Sequence, residues 1–127
     1  MKLSKNTFTF IVSGVILAVV SLGCGGGSGQ LCTAEIAFDG KKYKDIARSE
    51  ERAKTSACTK YCIEGDPFVG AVYKVWAEAQ IDPKKRQMSI YEAMRSEKTI
   101  SSAISACTQR CLVDIDGGRL NMEMTCR

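Results

Sequence analysis

The sequence has 127 residues, which is enough for one small domain. Its 18 basic and 14 acidic side chains give a net charge of +4, far from the dense basic surface of a nucleic-acid-binding protein. Histidine is absent, which excludes a Ser-His dyad, a histidine general base and metal ligation by histidine.

Residues 1 to 23 are predicted to be a signal peptide. Lys2 and Lys5 form a short basic region, and an uncharged run of 16 apolar or small residues follows from Phe8 to Gly23. This run is short for a membrane-spanning helix, which needs roughly 20 residues, and it fits the apolar part of a secretory signal. Removal of the segment leaves 16 basic and 14 acidic residues, and therefore a net charge of +2.

The end of the apolar run, Leu22-Gly23-Cys24, resembles the lipobox of bacterial lipoproteins, with Ser21 where that family usually has leucine. The resemblance covers residues 1 to 24 and implies cleavage before Cys24, diacylglycerol on its sulfur and an acylated amino group. Gly25 replaces the aspartate that retains enterobacterial lipoproteins in the inner membrane, which favours the outer membrane. The alternative is an ordinary signal peptide or an uncleaved anchor, with Cys24 a plain thiol.

The number of cysteines agrees with lipidation. The sequence has seven, and removing Cys24 leaves six, an even number that predicts a three-disulfide framework in an exported chain. Residues 24 to 30 are then a lipidated cysteine and a flexible Gly/Ser-rich tether. Residues 31 to 127 form the disulfide-bonded domain.

A β-hairpin is predicted at the start of this domain. Two strand-like runs, 33 to 38 and 41 to 46, flank Asp39-Gly40, a pair typical of the type I′ turn because both central residues need positive φ. The two-residue loop sets Glu35 opposite Lys44 and predicts an ion pair between them.

Three helices are predicted after the hairpin, each with start and stop signals. The first runs from the N-cap Ser49 to Glu64, before Gly65, and the second from Asp66-Pro67 to before Asp82-Pro83. The third runs from the capping box at Ser89 and Glu92 to about Val113. Lys84, Lys85 and Arg86 are placed in a solvated loop that could touch anionic headgroups.

A third strand is predicted near the end of the sequence, where Met122, Met124 and Cys126 alternate with polar residues. Cys32 and Cys126 both lie on buried strand faces. If strands 1 and 3 are antiparallel, the two cysteines meet at one end of the sheet, which predicts a Cys32–Cys126 disulfide and the strand order 2-1-3. The predicted fold is therefore an α+β domain of order ββαααβ, with a three-stranded sheet covered by about three helices.

The motif Ser-Ala-Cys-Thr-x-x-Cys occurs twice, from residues 56 and 105. Four-residue spacing puts both cysteines of a motif on one helix face, so two disulfides can join two helices. An up-down-up path makes helices 1 and 3 parallel and favours Cys58–Cys107 and Cys62–Cys111. Antiparallel helices would instead pair Cys58 with Cys111 and Cys62 with Cys107.

The antiparallel alternative resembles the twin Cys-x3-Cys helical hairpins of small mitochondrial chaperones and plant hairpin peptides. Those families join their helices by short loops and lack a sheet, whereas 44 residues separate the two motifs here. Their function is therefore not transferred to this chain.

No catalytic or cofactor-binding pattern is found, so no cofactor and no metal are expected. A four-thiolate zinc site at the two motifs is the alternative to disulfides, but an oxidising compartment favours disulfides. Asp114 and Asp116 near two glycines indicate a polar turn rather than a cation site.

The leading hypothesis is a non-enzymatic lipoprotein of the bacterial envelope with an interaction or structural role, facing the periplasm or the cell surface. Its partners would be the membrane, through the lipid on Cys24, and an unknown envelope protein or other ligand, with no nucleic acid. One alternative is an inhibitor of a secreted hydrolase that acts through residues 82 to 87. Another is a thiol redox protein that uses a Cys-x3-Cys pair.

Overall fold

The computed structural model describes residues 29 to 127, so the predicted signal peptide and the lipidation site at Cys24 lie outside the described residues. The strands are β1 (Cys32–Phe38), β2 (Lys41–Ala47) and β3 (Asn121–Cys126). The helices are α1 (Glu50–Glu64), α2 (Pro67–Ala79), α3 (Pro83–Arg86), α4 (Ile90–Ser96) and α5 (Lys98–Asp116). The α+β fold class is confirmed, with five helical segments where three were predicted.

The three strands form one antiparallel sheet in the predicted order, β2-β1-β3. Asp39 and Gly40 have φ values of 50° and 73°, as a type I′ turn requires, and this turn sets the predicted hairpin register. The inner face carries Ala34, Ile36 and Tyr43, all of them buried against the helices. Within residues 29 to 127, no helix covers the opposite face of the sheet, where Lys44, Ile46 and Glu123 are exposed.

The predicted ion pair of Glu35 is wrong in its partner. Glu35 lies directly opposite Lys44, but its Oε1 contacts Nζ of Lys42 at 2.8 Å. The twist of the sheet brings one diagonal neighbour closer, and the flexible lysine side chain reaches Glu35 from that position. The hydrogen bond from Lys42 lowers the pKa of Glu35, and the charge of Lys44 contributes in the same direction.

Helix α1 is the central helix of the fold. Its inward side chains Ala53, Ala57, Cys58, Tyr61 and Cys62 are all buried, as the sequence predicts. The small alanines allow α1 to lie close to the sheet. At its far end, the Tyr61 ring packs edge-to-face on both Phe38 and Tyr43 of the hairpin, with ring centroids 5.2 and 5.4 Å apart.

The predicted third helix is two helices in the structure. The break is at Glu97, whose φ of −112° and ψ of 112° are extended, and α5 begins at the next residue. Ala93 in α4 and Ile100 in α5 are both buried and seven residues apart, the spacing of one continuous helix. No glycine or proline marks the break, so the apolar pattern alone does not reveal it. Residues 83 to 86, predicted as part of a loop, form the single helical turn α3.

The disulfide between Cys32 and Cys126 is confirmed, but the favoured pairing of the two motifs is wrong. The structure pairs Cys58 with Cys111 and Cys62 with Cys107, so α1 and α5 are antiparallel. The parallel prediction assumed an up-down-up path with one return helix between α1 and the last helix. The structure has three helical segments there, α2, α3 and α4, so that path does not hold. Residues 117 to 120 fold back on the end of α5, where the N–H groups of Arg119 and Leu120 both donate to the carbonyl of Asp114.

Candidate interaction surface

The six described cysteines have a structural role. Each disulfide joins two different elements, and none closes a bond within one Cys-x3-Cys motif. The four motif cysteines are at most 2% exposed, so no thiolate is offered to a substrate. Between residues 29 and 127 there is also no cluster of three or more His, Cys, Asp or Glu side chains that could hold a metal ion.

The two acids at the end of α5 each have a cation of their own. Asp114 accepts a hydrogen bond from Nε of Arg119 at 2.9 Å, and Asp116 accepts one from Nζ of Lys54 at 2.6 Å. The second bond also joins α5 to the first half of α1. These carboxylates therefore help to close the turn and hold the helix pair together.

The basic segment of α3 is partly neutralised. Lys85 forms a salt bridge with Glu97, and the guanidinium of Arg86 donates two hydrogen bonds to the carbonyl of Gln80, at 2.7 and 3.1 Å. These bonds hold residues 82 to 87 in a helical turn rather than in the extended form that a protease cleft accepts. No observation of the structure favours the inhibitor hypothesis.

Helix α2 is apolar on more than one side. On its inner side, Val69 lies in the core. Tyr73 and Trp76 are partly buried and pack against the core. On its outer side, Phe68 and Val75 are 61% and 68% exposed. They are seven residues apart and therefore lie on one stripe, and Ile81, just beyond the helix, is 94% exposed. An apolar stripe that its own domain leaves uncovered is a candidate contact surface.

The sequence pattern already contained this second stripe. Positions 68, 71, 75 and 79 are all apolar and follow the helical period, but the stripe through Val69, Tyr73 and Trp76 satisfies the same period. Only the packing decides which stripe faces inward. No helix among residues 29 to 127 is long and apolar enough to span a membrane.

A concave surface lies between α1 and α4. It is about 450 Å³ in volume, and its polar walls include Asp45, Lys60, Glu64, Tyr91 and Arg95. The Tyr91 hydroxyl donates a 2.5 Å hydrogen bond to Oε1 of Glu64, and this bond raises the pKa of Tyr91 to about 12. This contact fastens α4 to the end of α1.

Comparison of the chain with protein-family models, with curated proteins and with solved structures gave no significant match.

Proposed function

We propose that this chain is a membrane-anchored lipoprotein of the bacterial envelope that holds a rigid, non-enzymatic domain in place for interaction or for envelope structure. The number and pairing of the cysteines support the lipid anchor. The three disulfides use six of the seven cysteines, and the seventh is Cys24, the residue that the lipobox resemblance assigns to lipidation. Disulfides of this kind belong to exported proteins, and export is what the signal peptide prediction requires.

The support for an interaction role is the surface of α2. Phe68 and Val75 present apolar side chains to solvent on a helix that already packs its other side on the core. A domain that exposes such a stripe lowers its free energy by covering it. The proposed partner is another component of the envelope, which reaches the domain at the membrane surface.

The mass of the exported chain tests the anchor. A chain expressed with its own N-terminus in a bacterium with a lipoprotein pathway should be recovered from the membrane, with a mature sequence that begins at Cys24 and carries acyl mass. Cys24→Ser is the matched variant, and it should lose the acyl mass and leave the membrane fraction. A mature chain that begins elsewhere, or that lacks acyl groups, contradicts the proposal.

Crosslinking in intact cells tests the interaction role separately. We expect wild-type chain to form a discrete crosslinked species that Phe68→Ser and Val75→Ser weaken. Lys74→Ser, an exposed substitution on the same helix, should leave it unchanged. Each variant must retain three disulfides and the same membrane fractionation. A species that is insensitive to both apolar substitutions removes the α2 stripe from the proposal.

A further inference from the structure

The two edges of the sheet differ in whether their backbone groups have partners. Leu31 and Arg127, just outside β1 and β3, exchange two backbone hydrogen bonds of 2.9 Å. Hydrogen-bonded and non-hydrogen-bonded pairs alternate along an antiparallel ladder, so odd-numbered residues of β3 bond to β1 and even-numbered residues point their backbone groups outward. The 4.0 Å Cα distance of Cys32 and Cys126 agrees with the close, non-hydrogen-bonded kind of pair.

The β2 edge is partly covered by side chains. The same alternation places the outward groups of β2 at residues 42, 44 and 46. The carbonyl of Lys44 accepts a hydrogen bond from Nζ of Lys60, and the N–H of Ile46 donates to the Asp45 carboxylate at 2.8 Å. Lysines on an edge strand also oppose the approach of another strand.

The β3 edge has no such protection. The outward backbone groups of Met122, Met124 and Cys126 have no hydrogen-bond partner within residues 29 to 127. No lysine or proline lies in this strand. Met122 and Met124 are only half buried beside the free edge. An unpaired strand edge of this kind accepts another strand by backbone hydrogen bonding.

The charged side chains of β3 indicate what kind of strand can pair with its edge. Glu123 lies directly opposite Glu35 of β1, and Glu35 already takes the salt bridge of Lys42. Glu123 itself has no salt bridge in the part of the chain that the structure describes, and neither does Arg127, four residues further along. The strand that joins this edge should therefore bring a cation opposite Glu123.

We propose that the β3 edge binds the β3 edge of a second copy of this chain, to give a two-fold dimer with a continuous six-stranded sheet. A two-fold axis at Thr125 pairs the two strands antiparallel and sets Glu123 of each copy opposite the partner's Arg127. Met124 of each copy then exchanges backbone hydrogen bonds with the partner's Cys126. Opposite charges and Thr–Thr pairs are favourable across antiparallel strands.

Neighbouring registers are less favourable. A two-fold axis at Glu123 puts two like charges directly opposite each other, which destabilises a strand pair. An axis at Met124 puts Thr125 of the partner opposite Glu123 and leaves its charge without a direct partner. The Thr125-centred dimer also joins two concavities of about 420 Å³, which include Leu31, Thr33 and Ile46 on the open sheet face, across the axis. The dimer rests on the backbone and charges of the described domain and does not depend on the anchor.

A charge exchange tests this dimer in the full chain, purified in detergent and followed by sedimentation over a range of concentrations. We expect wild-type chain to be dimeric, and Glu123→Arg or Arg127→Glu to raise the dissociation constant about tenfold, since each places like charges opposite each other twice. The double variant Glu123→Arg/Arg127→Glu should restore wild-type affinity. A monomeric wild type, or a double variant no tighter than the single ones, overturns the proposal.

A backbone variant tests the hydrogen bonds themselves. Met124→Pro removes an outward N–H at a place where an edge strand tolerates proline, whereas Met124→Ala removes the same side chain and keeps that N–H. We expect only the proline variant to become monomeric while it keeps all three disulfides. A photoactivatable residue in place of Thr125 should crosslink to the identical peptide of a second copy. Equal dimerisation of the two Met124 variants, or crosslinking of residue 125 to a different protein alone, rejects the second copy as occupant.

Discussion

The arrangement of the three disulfides predicts unequal losses of stability when each is removed. The bonds are nested, with Cys62–Cys107 inside Cys58–Cys111 and both inside Cys32–Cys126. We consider three variants, in each of which both cysteines of one disulfide are replaced by alanine. Five of the six disulfide-bonded cysteines are at most 2% exposed, so the loss of packing is similar and the variants differ mainly in the ring that each bond closes.

The size of that ring sets the expected loss in the free energy of unfolding. With the two helix disulfides intact, Cys32–Cys126 closes a ring of roughly 40 residues, which corresponds to about 4 kcal/mol in the chain-entropy model. With its neighbour intact, either helix disulfide closes a ring of only about ten residues, worth about 2.7 kcal/mol. Removing both helix disulfides should cost about 1.3 kcal/mol more than the sum of the single losses, because the second bond then closes a ring of roughly 40 residues or more.

Equilibrium unfolding in urea measures these losses, with the remaining bonds verified by mass of unreduced peptides. Wild-type peptides should join Cys58 to Cys111 and Cys62 to Cys107. The reasoning is refuted if a single helix disulfide costs as much as Cys32–Cys126, or if the two helix disulfides contribute additively. Either result would mean that the bonds act through native packing rather than through the unfolded chain.

Two further predictions test contacts at the end of α1. Gly65→Ala should destabilise the domain by about 1–3 kcal/mol in thermal unfolding, because its β-carbon would collide with the Tyr43 ring. Gly70→Ala, whose β-carbon position is open, should be neutral or stabilising. Alkaline titration of tyrosine absorbance should show a pKa of about 12 that is absent in Tyr91→Phe and falls in Glu64→Gln. Because folding raises this pKa, the stability advantage of wild type over Glu64→Gln is present below pH 10 and should vanish as the pH rises through 12; a difference that persists contradicts the assigned hydrogen bond.

The hairpin and the sheet order follow from local patterns in the sequence. Asp39-Gly40 permits a two-residue turn with positive φ at both positions, and the turn length alone then determines which residues of β1 and β2 are paired. The alternation of Met122, Met124 and Cys126 assigns the buried face of β3. A disulfide to Cys32 then leaves one place for the strand, beside β1.

The candidate interaction surfaces depend on tertiary structure. The sequence gives α2 two apolar stripes of equal period, and packing of Val69 and Trp76 on the core leaves Phe68 and Val75 outside. The open edge of β3 is likewise invisible in sequence. Any strand can lie at an edge. Only the positions of Lys60 and Asp45 show that the β2 edge is partly covered, whereas the β3 edge has no such bonds within residues 29 to 127.

The repeated Ser-Ala-Cys-Thr-x-x-Cys motif marks the boundary between what sequence and structure decide. Helical spacing determines that each motif presents two cysteines on one face, and therefore that two helices are joined twice. The direction of the helices is not encoded in the motif, because a pair spaced by four residues matches its copy equally well in either direction. The direction depends on the path of the chain between the two motifs. That path consists of three helical segments rather than one return helix, and it brings α5 back antiparallel to α1.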